Sequence, residues 1–226
     1  METKTVRKPR ILVFASGTGT GGGSGFRELV EATRTASPIL NAQIVGVVSN
    51  HENGGVRRHA DALGIPFEYW NGPFDAEGYR RFVSTYDADV VMLSGWLKIV
   101  IGLDPCTTLN IHPGPLPYFG GKGMYGHHVH EAVMKAYREG WCIESAVTMH
   151  FVDPEFDRGP VCFWFPVPIR AEDTPETLAA RVNEKERAWQ AAVLNEVVHG
   201  RIRLADDMKT VIYDHPRVPI FKFAEA

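Results

Sequence analysis

Asn110 and His112 stand two residues apart in Leu109-Asn110-Ile111-His112-Pro113-Gly114-Pro115-Leu116-Pro117. Strand residues i and i+2 point to one face, so the amide and the imidazole aim at one point if this segment is extended. Pro113 has no backbone donor and biases its predecessor away from helix, which predicts a strand ending at His112. An amide donor beside an imidazole can steady developing negative charge and move a proton; the plainer reading is a capped strand end. Asp157, at the Asp157-Arg158-Gly159-Pro160 turn, is on one reading a turn aspartate bonding its own backbone. On the other it is a carboxylate beside His112 that raises its pKa and orients it.

These side chains need a scaffold. Ile11 to Ala15 is a continuous apolar run bounded by Ser16-Gly17, the pattern of a strand buried on both faces. The loop Gly17-Thr18-Gly19-Thr20-Gly21-Gly22-Gly23-Ser24-Gly25 then gives way to a helical pattern from Phe26, with Ser24 as candidate N-cap. Strand, glycine loop, helix is an anion cradle, since loop and helix-start N–H groups and the helix dipole suit a phosphate. Further strands are predicted at 43–49, 66–69, 88–95 and 107–112, with helices at 55–63 and 76–86 between them. Alternating strands and helices imply right-handed crossovers and a doubly wound, mostly parallel α/β sheet flanked by helices. An antiparallel hairpin is predicted from 144–152 and 161–167, and a closing helix from about Thr174 to Gly200. No clean G-x-G-x-x-G with an acidic residue closes the second strand, which ends Ser49-Asn50, so dinucleotide binding is not indicated.

Trp96-Leu97-Lys98-Ile99-Val100 lies just past a strand end; it is either packing or the wall of a pocket for a flat heterocycle, with the Leu97, Lys98 and Ile99 backbone free to bond it. Tyr118 to Gly126 is too glycine-rich to be regular and reads as a mobile lid. His112, His127, His128 and His130 suggest a metal site. The three at the helix start cannot face one way and nothing completes a ligand set, so no metal is expected: one histidine faces the site and the others face solvent.

The chain has 226 residues, a formal net charge of −3 and no dense basic run beyond Lys4 to Arg10, which gives nucleic-acid binding no support. No apolar run is long enough to cross a bilayer and the leader lacks a secretory core, so a cytoplasmic protein away from membranes is expected. Cys106, Cys142 and Cys162 form no zinc or disulfide pattern and read as small buried hydrophobes.

Taken together and in this order, the glycine loop after the first strand, Gly95-Trp96-Leu97-Lys98-Ile99, Leu109-Asn110-Ile111-His112-Pro113 and His150-Phe151-Val152 leading to Asp157-Arg158-Gly159-Pro160 resemble the folate-dependent formyltransferase family over nearly the whole chain. The resemblance implies a Rossmann-like formyltransferase fold, one domain over 1–204 with a tail at 205–226 packed outside. It also implies transfer of the formyl group of 10-formyltetrahydrofolate to the amine of glycinamide ribonucleotide in purine biosynthesis, without a metal, and leaves a homodimer open. By the same matching Asn110 and a protonated His112 stabilise the oxyanion and Asp157 assists proton transfer. Leu97, Lys98, Ile99 and Val100, with Asn110 and Asp157, hold the folate; Gly17 to Ser24 take the phosphate, and Glu186 accepts from ribose hydroxyls. The chain departs from the family pattern in a lengthened glycine loop, Gly25 in place of an asparagine, Lys98 in place of an arginine, and no basic residue between Phe74 and Tyr79 to hold the phosphate, a part Lys122 is then placed to take. The longer loop motivates two alternatives, another acceptor such as an amino sugar nucleotide, or water. A non-catalytic folate- or nucleotide-binding protein is the alternative from another class.

Overall fold

Strands with both faces apolar need cover on both sides, and this chain supplies it. The computed structural model describes residues 7–220; the first three residues of the basic leader and the last six of the expected tail lie outside the described residues. In β1 (Arg10–Phe14), Ile11 and Val13 enter one hydrophobic core and Leu12 and Phe14 another, the period-2 alternation of a central strand. The first core takes in α1 (Ser24–Ala32) and α2 (Gly55–Leu63); the second is closed by α3 (Ala76–Thr85) through Tyr79 and Phe82.

With β2 (Gln43–Ser49), β3 (Phe67–Tyr69), β4 (Val90–Ser94), β5 (Thr108–His112), β6 (Glu144–Phe151) and β7 (Val161–Pro168), the sheet runs β3-β2-β1-β4-β5-β6-β7. The first five strands in that order are parallel, and β6 and β7 are antiparallel. The doubly wound sheet and the 144–167 hairpin therefore match the sequence pattern. The order reverses between β1 and β4, the switch point where open α/β sheets bind ligands beyond their strand ends. The loop after β1 meets the loop after β4 there, Ser16 N–H donating to the Gly95 carbonyl at 3.0 Å.

Two helices complete the layer beside the site. Val129, Val133 and Met134 of α4 (His127–Arg138) pack into the first core. α5 (Pro175–Val198) starts at a Thr174–Thr177 capping box, and Asp173 is clamped by both terminal nitrogens of Arg181 at 2.7 Å. That guanidinium holds the Asp173 carboxyl well below the usual carboxylate range.

Three local expectations differ. Helix α1 is capped by Gly23 in a left-handed conformation (φ 83°), and Ser24 is already helical with no side-chain cap, because only glycine adopts that backbone cheaply. The 201–220 stretch is partly ordered: β8 (Ile202–Leu204) pairs with β9 (Val211–Tyr213), Tyr213 Oη donates to the Cys162 carbonyl at 3.1 Å, and Val218 is buried. The pairing joins residues on both sides of position 204. Of the three cysteines only Cys162 is fully buried.

Candidate active site

Strand β5 brings Asn110 and His112 to one face, as their spacing requires, and β6 lies beside it with His150 opposite Asn110. Asp157 arrives from the loop between β6 and β7 in left-handed backbone (φ 56°), a conformation aspartate tolerates better than most residues. These four side chains form one network. The Asn110 amide nitrogen lies 3.0 Å from His150 Nε2 and 3.3 Å from Asp157 Oδ1. His150 Nδ1 is 2.9 Å from the Phe151 carbonyl. A carbonyl only accepts and an amide nitrogen only donates, so Nδ1 carries the hydrogen and Nε2 accepts from Asn110.

His112 is 3% exposed. Its Nε2 donates to the Phe119 carbonyl at 2.7 Å, which turns Nδ1 toward Asp157 Oδ1, 3.6 Å away. Burial pushes the imidazole below its ordinary pKa, against the upward pulls of Asp157 and the Phe119 carbonyl. Asp157 does raise the His112 pKa, as expected, but it lies beyond hydrogen-bond range and loss of solvation outweighs its pull, so the net shift is downward. For Asp157, burial pushes up, but His150, His112 and the Gly121 N–H outweigh it and leave the carboxyl below its ordinary value. Both groups are thus shifted downward, His112 by its burial and Asp157 by its partners.

The lid is built into this network at its base. Gly121 N–H donates to Asp157 Oδ2 at 2.9 Å, and any side chain at Gly120 would run into Leu116 and Asp157. Thr148 of β6 donates to the Gly114 carbonyl at 2.7 Å and pins the proline turn. Of the clustered histidines, His127 and His128 are exposed and pair with Glu131. His130 is buried, with Nδ1 unpartnered, so not all the others face solvent. Burial, with His127 and His112 nearby, pushes it down to about 4.

A cleft of about 560 Å³ opens from the network. Asn110, His112 and Asp157 line its reacting end, and Gly17, Thr18, Gly22, Gly23, Ser24 and Gly25 its far end. Glycine is required at Gly22 (φ 79°), where a Cβ would sit 2.6 Å from Gly17 Cα. Gly19, Thr20 and Gly21, expected in the cradle, do not line the cleft. Their turn is folded onto α2: Arg58 donates to the Thr20 carbonyl at 2.7 Å, and Gly55 N–H is shared between the Thr18 and Gly21 carbonyls at 3.3 and 3.2 Å. The lengthened loop is a brace, and only its ends face the ligand space.

Leu97 lines the same cleft, whereas Lys98, Ile99 and Val100 line an adjoining pocket of about 50 Å³, with Asn110, Asp157 and Phe156 common to both spaces. The backbone there is less free than expected, since Leu97 N–H donates to Ser16 Oγ at 3.0 Å and the Ile99 carbonyl accepts from Tyr79 at 2.8 Å. Trp96 packs, donating to Tyr79 at 2.9 Å, and also lines both spaces. Lys98 lies over the Phe74 ring, 5.3 Å from its centroid. Glu186 lines the cleft from α5, and burial lifts its carboxyl to about 7 against the Asn183 hydrogen bond.

Sequence reading gave no site role to Ser94, Arg187 and Gln190, and named His150 and Gly25 only within their motifs. Ser94 donates to Gln190 at 3.0 Å and Gln190 to the Gly25 carbonyl at 3.1 Å, and a side chain at Gly25 would meet Ser94 Oγ. The signal for α5 was its 183, 186, 187, 190 spacing, one helix face.

Comparison with known proteins agrees with this geometry. A family model described as Formyl transferase matches residues 9–194. The chloroplastic phosphoribosylglycinamide formyltransferase of Arabidopsis thaliana is 35% identical over 212 residues, 89% of this chain and 69% of that protein. Its counterpart in Vigna unguiculata is 35% identical, with 88% of this chain and 64% of that protein covered. The crystal structure of phosphoribosylglycinamide formyltransferase from Anaplasma phagocytophilum superposes with a TM-score of 0.75 at 27% identity, covering 97% of this chain and all of that one. Glycinamide ribonucleotide transformylase 1 from Symbiobacterium toebii gives 0.76 at 26% identity over 92% and 95% of the two chains. Since the matched span carries the braced glycine loop, Asn110, His112 and Asp157 alike, the chain belongs to the formyl transferase family.

Proposed function

We propose that the protein transfers the formyl group of 10-formyltetrahydrofolate to the amine of glycinamide ribonucleotide, a step of purine biosynthesis. The observation that carries this reading is the Asn110–His112–Asp157 network at the strand ends, opening on a cleft that reaches the glycine loop. The named relatives in both comparisons act on this acceptor by their names, which supports the choice over an amino sugar nucleotide or water.

The amine attacks the formyl carbon, forming a C–N bond and moving the carbonyl pair onto oxygen. The oxyanion needs donors. Asn110 supplies the amide hydrogen now shared with Asp157, the longer and weaker of its two contacts. Neutral His112 takes the proton shed by the attacking nitrogen on Nδ1 and, once charged, donates that hydrogen to the oxyanion. Asp157 stabilises the imidazolium and passes the proton through water to the folate nitrogen, which keeps the electron pair as its bond to the formyl carbon breaks. The products are the formamide and tetrahydrofolate, with every proton returned.

The folate ring system is read against Leu97 to Val100. The acceptor's phosphate is read against Gly17, Thr18 and Gly22 to Ser24, and its ribose against Glu186. No metal enters the chemistry. A single domain over 1–204 with an outer tail at 205–226, a cytoplasmic setting and a homodimer belong to the same reading; among the described residues no helix is long and apolar enough to cross a membrane. The test is turnover: purified protein with both substrates releases tetrahydrofolate in step with formylated acceptor, and Asp157→Asn abolishes most of it.

A further inference from the structure

The glycine cradle offers a phosphate backbone donors, but a dianion in an open cleft also needs a cation. Helix α5 faces the cradle. Gln190 is tied to the Gly25 carbonyl at 3.1 Å, which brings this face of α5 against the start of α1. Arg187 lies three residues earlier on the same face, about 4.5 Å along the axis, and lines the same cleft. Its guanidinium is exposed, and among the described residues it forms no ion pair; its one hydrogen bond is from Nε to the Asn183 carbonyl of its own helix at 3.4 Å. Other arginines on this helix and beyond it are spent on structure: Arg181 on Asp173, Arg201 on Glu196, Arg58 on the Thr20 carbonyl. Of the nearby carboxylates on its helix, Glu184 is taken by Lys185 at 2.9 Å, and Glu186, its neighbour on the cleft face, accepts from Asn183 at 3.3 Å.

We propose that Arg187 is the phosphate-gripping cation of the acceptor site, closing from α5 onto the anion held by the ends of the glycine loop. It takes the part for which the lid's Lys122 stood as candidate from sequence. The planar fork of a guanidinium donates to two phosphate oxygens at once, which a lysine on a glycine-rich lid does not. This assignment rests on the reading of the acceptor as a ribonucleotide, and it fixes specificity for the phosphorylated acceptor without touching the formyl group.

The test compares two acceptors, glycinamide ribonucleotide and its dephosphorylated ribonucleoside, in wild type, Arg187→Ala and Arg187→Lys. Arg187→Ala is expected to raise KM for the ribonucleotide roughly tenfold to a hundredfold, leaving kcat within about twofold and KM for the formyl donor unchanged. With the ribonucleoside the two proteins should be equal, Arg187→Lys should recover part of the loss, and inorganic phosphate should inhibit the alanine variant less. An unchanged KM for the ribonucleotide, or an equal loss with both acceptors, overturns the role of Arg187 while turnover by the wild type upholds the wider reading. Absence of wild-type turnover with either acceptor overturns that wider reading itself, and the phosphate role with it.

Discussion

The two ends of the cleft are built on opposite principles. At the reacting end, Asn110, His112, His150 and Asp157 sit on strands or a pinned turn, each bonded to protein and largely removed from water. At the anion end, Gly22 to Gly25 offer mainly backbone, and the cations that line the space, Lys122 and Arg187, are exposed and form no ion pair among the described residues. Proton transfer needs distances held before the substrate arrives, and burial sets the pKa values. Capture of a dianion is served by solvated charge that steers it in and by donors that need no side chain. One cleft thus combines a buried polar network with an open charged mouth.

The largest effect should come from the rigid end. Asp157→Asn removes the carboxylate that stabilises the imidazolium, and kcat/KM should fall a hundredfold or more, about 3 kcal/mol of transition-state stabilisation, with the fold intact by circular dichroism. Because Asp157 pulls the His112 pKa upward, the residual activity should also lose its acid limb at lower pH than wild type. On the proposed mechanism, with His112 as the base, that limb should already lie below about 6.5 in the wild type, the ordinary value for histidine, since burial lowers its pKa. A pH–rate profile limited above 6.5 would contradict the neutral-imidazole assignment.

Next in size is an effect on stability. His130 is pushed down to about 4 in the fold and titrates near 6.5 when unfolded. Its neutral form therefore contributes stability that is fully present above about 6.5 and lost as pH falls toward 4, up to about 3 kcal/mol. His130→Leu should flatten the fall in urea midpoint between pH 6.5 and 4.5; an identical slope in both proteins rules out this residue as its source.

The candidate site was legible in the sequence because strand periodicity alone brings Asn110 and His112 together, and the Asp157 turn is marked by glycine and proline. His150 was not legible. It reaches Asn110 only through the β5–β6 register, a long-range pairing that no local pattern encodes. The charge state of His112 also escaped, since desolvation depends on Phe119, Asp157 and the packed lid base rather than on any neighbour in sequence. At the anion end the glycine run announced a cradle, yet half of it is a brace, because where a glycine loop points depends on what it folds against, here Arg58 and Gly55 of α2. Arg187 and Gln190 sat in plain periodicity with Glu186, but their face of α5 acquires meaning only once α1 lies opposite.

The smallest effect sharpens the rigid end further. His150→Phe removes the acceptor that holds the Asn110 amide, and kcat should fall about tenfold while both KM values stay near wild type. A rise in KM without loss of kcat would place His150 among the binding groups and not behind Asn110. Set beside Arg187→Ala, which should do the reverse, the pair separates the two ends by the kinetic parameter each controls.

The most direct measurement is product analysis of the purified protein with 10-formyltetrahydrofolate and glycinamide ribonucleotide. One tetrahydrofolate released for each formylglycinamide ribonucleotide formed, with loss of both in Asp157→Asn, is the expected result. Release of formate without formylated acceptor, or formylation of an amino sugar nucleotide in preference to glycinamide ribonucleotide, would contradict it.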